Sequence, residues 1–135
     1  LTVYFSSDCG GSYDTAIAVA EFSSRAQDIS LICYGSLVSA GFLIAMLAKC
    51  DKTLLVESYA LTHLAWTNSG VDESGNFKDE YYQFVASTPP EETLTYQICQ
   101  EVKMPKKDLN KLKAGKDVLI HFDKLLVYFD RSKDI

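Results

Sequence analysis

Ser39 lies in the stretch Gly35-Ser36-Leu37-Val38-Ser39-Ala40-Gly41. The apolar run before it, residues 29–34, is rich in strand formers. The run after it, residues 42–49, has no breaker and reads as helix. A serine at such a junction stands beside the unpaired N–H groups and the positive dipole end of a helix. Those donors can stabilise an oxyanion, so the chemistry on offer is nucleophilic attack by a hydroxyl. Gly35 and Gly41 let the backbone turn sharply and a substrate come close. The plainer alternative is that Ser39 only caps the helix. A serine nucleophile also needs a base and an orienting acid, and the chain holds two histidines, His63 and His121. His63 ends the strand-like run Tyr59-Ala60-Leu61-Thr62-His63. If that strand joins the sheet that carries Ser39, His63 reaches the same edge; otherwise it is a structural histidine. Gly10-Gly11 offers N–H groups after another strand-like run. Together with the N–H of Ala40 they could form an oxyanion hole, or they are simply a tight turn.

The elements that must position these residues follow from the apolar patterning. Residues 1–6 (Leu-Thr-Val-Tyr-Phe-Ser) read as a strand apolar on both faces, which suits a central parallel strand. Residues 12–25 read as helix, with Ala16, Val19, Ala20 and Ser23 on one face and Ser12 or Asp14 as cap. Residues 52–57 and 60–64 read as further strands. Alternating strands and helices point to βαβ units and a parallel sheet. Both glycine stretches should then lie at its carboxyl edge, where open α/β sheets bind ligands. Residues 66–75 read as a polar loop and residues 76–87 as helix, stopped by Pro89-Pro90. Helix resumes over 91–103, with Thr88 as candidate cap, and again over 106–113. Residues 114–117 form a turn. Helix and strand compete over 118–130, with 125–129 resembling a final strand.

The bulk numbers suit one domain: 135 residues, 47% hydrophobic and 23% charged. A chain of this length buries about 65–70% of its unfolded surface, enough for a real core. A net charge of −5 disfavours nucleic acid as a partner. It gives no reason to expect an anionic membrane surface. The cysteines Cys9, Cys33, Cys50 and Cys99 form no CxxC pair, so a zinc site is not expected; the reading includes no other metal and no cofactor. Three sit in or beside apolar runs, which suits free thiols in a reducing, cytoplasmic setting. No run of 18 uncharged apolar residues is present to span a membrane. The chain opens at Leu1 within a strand, so the expectation includes upstream elements missing from this sequence.

These stretches resemble the proteolytic subunit of the Clp protease, within the Clp/crotonase fold. Its strand leading into Ser-Pro-Gly-Gly is similar to Ser7-Asp8-Cys9-Gly10-Gly11. Its Gly-x-Ala-Ala-Ser-Met-Gly is similar to residues 35–41. Its strand ending in Met-Ile-His is similar to Leu61-Thr62-His63, 24 residues after Ser39. The resemblance covers residues 1–66 well and continues more weakly to Asp130. It implies a single α/β domain over 1–135, built of repeated ββα units with a parallel sheet and a protruding helical handle over 76–102. It implies Ser39 as nucleophile, His63 as general base, and Gly11 and Ala40 as oxyanion-hole donors. The family's acid lies in Arg-Asp-x-Phe, similar to Lys116-Asp117-Val118-Leu119, which makes Asp117 the implied acid ahead of Asp108 and Asp123. The implied activity is endopeptidase cleavage of peptides or unfolded proteins inside a homo-oligomeric ring, fed by an AAA+ unfoldase.

The chain departs from the family pattern at Ala65, where the family has proline, at Pro89-Pro90 within the handle, and in the length of loop 67–75. Two other functions therefore stand beside the leading one. A catalytically silent ring subunit would account for the departures, although such members usually lose the serine or histidine. A crotonase-type acyl-CoA enzyme shares the fold and the oxyanion hole but does not use this serine–histidine pair. A compact virus-encoded maturation protease is a further form the peptidase could take.

Overall fold

The computed structural model describes residues 1–11, 13–26, 28–64, 68–71, 77–79 and 89–135. The chain runs β1 (Thr2–Ser7), α1 (Tyr13–Arg25), β2 (Ser30–Val38), α2 (Ala40–Leu47), β3 (Asp51–Leu54) and β4 (Tyr59–Thr62). It continues through β5 (Asn68–Val71), β6 (Phe77–Asp79), a 3-10 turn (Pro90–Glu92), α3 (Leu94–Glu101), α4 (Lys106–Lys113), β7 (Val118–Ile120) and α5 (Phe122–Ser132). The fold is mixed α/β with alternating strand and helix units.

Strand β2 organises the sheet. It pairs in parallel with β1 on one side. On the other side its first half pairs with β3 and its second half with β4, both in parallel. Strand β7 closes the far edge antiparallel to β4, so the sheet is parallel except for this last strand. Gly35 does not end β2, as its residue type suggested. Phe5 pairs with Cys33 and Ser7 with Leu37, so β2 advances four residues while β1 advances two. This bulge holds Gly35 at φ 64°, a conformation glycine adopts without the Cβ penalty.

One face of the sheet is covered by helices. Leu31, Cys33, Leu37, Leu54, Ala60, Val118 and Ile120 are buried there in one core with α2, the central helix. Helix α2 is buried from Ala40 to Met46, so apolar residues all round it are what the core demands. Helix α1 packs on it through Ala16, Ala20 and Ser23, while Val19 of the expected face is exposed. The carbonyls of Ala45 and Met46, near the end of α2, accept from the ammonium of buried Lys52 at 2.7 and 3.2 Å. That ammonium also donates to Ser132 Oγ of α5 at 2.8 Å.

Three expectations change. Residues 125–129 are helix within α5, because Leu125, Tyr128, Phe129 and Ser132 bury one helical face in the core. Phe77–Asp79 is a strand, not helix, and pairs antiparallel with Asn68–Val71, which was expected to be loop. Helix α3 is no protruding handle: Tyr96, Ile98 and Cys99 are buried in the core. Its N-cap is Thr93, whose hydroxyl accepts from the Tyr96 N–H at 3.3 Å. The other expected caps, Ser12 and Thr88, lie outside the described residues, as do 76 and 80–88 of the expected handle and 66, 67 and 72–75 of the expected loop.

Candidate active site

Ser39 directly follows β2 and precedes α2. Its φ of 55° and ψ of −111° are sparsely populated for a residue with a side chain and cost about 1–3 kcal/mol. Ser39 N–H donates to the Leu61 carbonyl of β4 at 2.7 Å, which ties the turn to the next strand. The Ser39 hydroxyl makes no capping bond to α2. It lies instead 2.9 Å from His63 Nε2.

His63 follows the last residue of β4, and Asp117 precedes the first residue of β7. The antiparallel register pairs Thr62 with Val118, so the next residues outward are His63 and Asp117. His63 Nδ1 lies 3.0 Å from Asp117 Oδ1. Asp108 and Asp123, the other candidate acids, lie in the first turns of α4 and α5. A neutral imidazole with its proton on Nδ1 satisfies both contacts: Nδ1–H donates to Asp117, and the Ser39 hydroxyl donates to Nε2. The His63 side chain is 18% exposed and that of Asp117 61%, so solvent reaches the carboxylate more freely than the imidazole. Three adjacent strands thus bring a hydroxyl, an imidazole and a carboxylate to one edge of the sheet in series.

The turn after β1 is locked onto this edge by two glycines. A Cβ on Gly10, which has φ +79°, would stand 2.8 Å from Ser39 Cβ. A Cβ on Gly41 would stand 2.5 Å from Ser7 Cβ. Gly41 is therefore small to admit the β1 turn, which corrects the expectation that it makes room for a substrate. Gly10 N–H donates to Ser7 Oγ at 3.2 Å, an interaction that shapes the turn. Ser7 was not anticipated in this role; a serine three residues before a glycine is the signal that could have found it. A Cβ on Gly11 would meet none of the described residues within 4 Å. Ala40 is the first residue of α2, where an N–H has no intrahelical partner. Ala40 thus adjoins Ser39 at the start of the helix, and Gly10, which Gly11 follows, meets it from the β1 turn.

Cys9, Cys33, Cys50 and Cys99 are all free thiols. Among the described residues no group of three or more His, Cys, Asp or Glu side chains is placed to hold a metal ion. No helix of the described residues is long and apolar enough to cross a membrane. No protein-family model and no curated protein matches the chain.

Proposed function

We propose that this chain is a serine endopeptidase of the Clp proteolytic-subunit type, with Ser39, His63 and Asp117 as its triad. The observation that carries this reading is the hydrogen-bonded series from Ser39 Oγ through both nitrogens of His63 to Asp117. A serine serving only as a helix cap would direct its oxygen to a first-turn N–H, and Ser39 does not. Its unusual backbone conformation further supports a functional role, since strain of this kind clusters at active sites.

In the proposed reaction Ser39 Oγ attacks the peptide carbonyl while His63 Nε2 takes the hydroxyl proton. Asp117 holds the imidazole in the required tautomer and offsets the positive charge it gains. The N–H groups of Gly11 and Ala40 receive the oxyanion of the tetrahedral intermediate. Collapse expels the amine, which takes its proton from His63. Water then attacks the acyl-enzyme with His63 as base and frees the carboxylate product. The Clp resemblance extends the proposal to a Clp/crotonase-type domain in a cytoplasmic homo-oligomeric ring that receives peptides or unfolded chains from an AAA+ unfoldase.

Hydrolysis of an unstructured fluorogenic peptide, compared between the parent chain and Ser39→Ala, tests the assignment. The variant should fold and lose turnover. Turnover retained by Ser39→Ala would sink it.

A further inference from the structure

A groove of about 640 Å³ lies between the turn into β4 and the start of α5, lined by Glu57, Ser58, Tyr59, Leu119, His121, Phe122 and Asp123. The strand register places it away from Ser39. Ala60 pairs with Ile120 and Thr62 with Val118. Tyr59 and His121 therefore share one end of the β4–β7 ladder, and His63 and Asp117 share the other. Tyr59 and His63 are four residue steps of extended chain apart, about 13 Å.

Two properties of the groove select its occupant. Its apolar surface stands open to solvent: Tyr59 is 43% exposed and Leu119 53%, with Leu55 and Val56 exposed beside them on the turn into β4. Its charge is negative: Glu57 and Asp123 are exposed, and among the described residues neither lysine nor arginine lines it. Aromatic faces beside carboxylates attract an organic cation with an apolar neighbour.

We propose that this groove docks a segment of a partner protein in which an aliphatic residue adjoins a lysine or arginine. The aliphatic side chain lies on Leu119 and Tyr59, and the cation meets Glu57 and Asp123. Fluorescence anisotropy of two labelled peptides on the full chain tests the proposal. One peptide carries a Leu-Arg pair in a Gly-Ser background, the other a Leu-Glu pair. The Leu-Arg peptide should bind, weaken with added salt, and weaken about tenfold or more in Glu57→Gln/Asp123→Asn. Tyr59→Ala should weaken it without that change in salt dependence. Reactivity of Ser39 towards a serine-directed reagent should be unchanged in these variants, which shows that they remain folded and separates this proposal from the peptidase assignment. Absence of binding, equal binding of both peptides, or binding that survives the charge variants would overturn it. Self-association of the chain that Tyr59→Ala abolishes would give the groove to a second copy and overturn it as well.

Discussion

His63 and Asp117 stand 54 residues apart in the chain and 3.0 Å apart in space because Thr62 pairs with Val118. An antiparallel ladder carries the carboxylate to the imidazole. The parallel pairing of Val38 with Leu61 carries the serine to the same place. The series is thus a property of two strand registers, and a slip of one residue in either pairing would dismantle it.

The exposure of Asp117 predicts unequal contributions within the series. Ser39→Ala and His63→Ala should each lower peptide turnover by roughly 10⁴-fold or more, and together no further. Asp117→Asn should cost less, about 10²-fold, because a carboxylate open to water interacts more weakly with the imidazole. Rates for the single and paired variants check this. A larger loss from Asp117→Asn than from His63→Ala would contradict it.

Gly10 should tolerate no side chain. Gly10→Ala adds a Cβ 2.8 Å from Ser39 Cβ at a residue with φ +79°, so both backbone strain and a clash oppose it. A loss of about 1–3 kcal/mol in unfolding free energy is expected, with a marked fall in turnover. Gly11→Ala meets none of the described residues and should leave stability nearly unchanged. Denaturant titration of the two variants separates these outcomes.

These sites show what the sequence could and could not disclose. The apolar runs on either side of Ser39 disclosed a strand before it and a helix after it, although not where the strand ends. The placement of Asp117 came from resemblance alone, since a pairing across 54 residues leaves no local trace. Residues 125–129 misled because Leu-Leu-Val-Tyr-Phe is rich in strand formers. The competing signal was present at Leu125, Tyr128, Phe129 and Ser132, whose spacing is helical and whose burial settled the conflict. Gly35 misled for the opposite reason: a bulge absorbs it and β2 continues. Lys52 gave no hint of burial, because its three acceptors come from α2 and α5.

Thr62 offers a test of packing next to the base. Its hydroxyl is buried and has no hydrogen-bond partner among the described residues. Thr62→Val keeps the shape and removes an unsatisfied polar atom. The variant should be stabilised by about 1 kcal/mol, or be neutral. Thermal unfolding of the two proteins measures it, and a clear loss of stability would reveal a partner for the hydroxyl.

Alkaline pH should weaken the fold through its buried thiols. Burial pushes Cys33 up to about 11 and Cys99 up to about 12 from an ordinary 9.0. Between pH 9 and those values the unfolded chain releases protons that the folded chain keeps, so stability falls as pH rises. Each thiol contributes a slope of about 1.4 kcal/mol per pH unit. Lys52 acts in the opposite sense: burial lowers its ammonium to about 8 from 10.5, so its contribution rises over that interval. Cys99→Val should remove one thiol's slope above pH 9. Denaturant midpoints of parent and variant from pH 8 to 11 read the difference, and parallel curves would refute the assignment.

The most direct test of the central claim is intact mass after treatment with a fluorophosphonate, followed by peptide mapping. One adduct per chain is expected, on Ser39, and its loss in His63→Ala, where no base remains to take the proton. A Ser39 that stays unmodified in the assembled protein, or that reacts equally without His63, would contradict it.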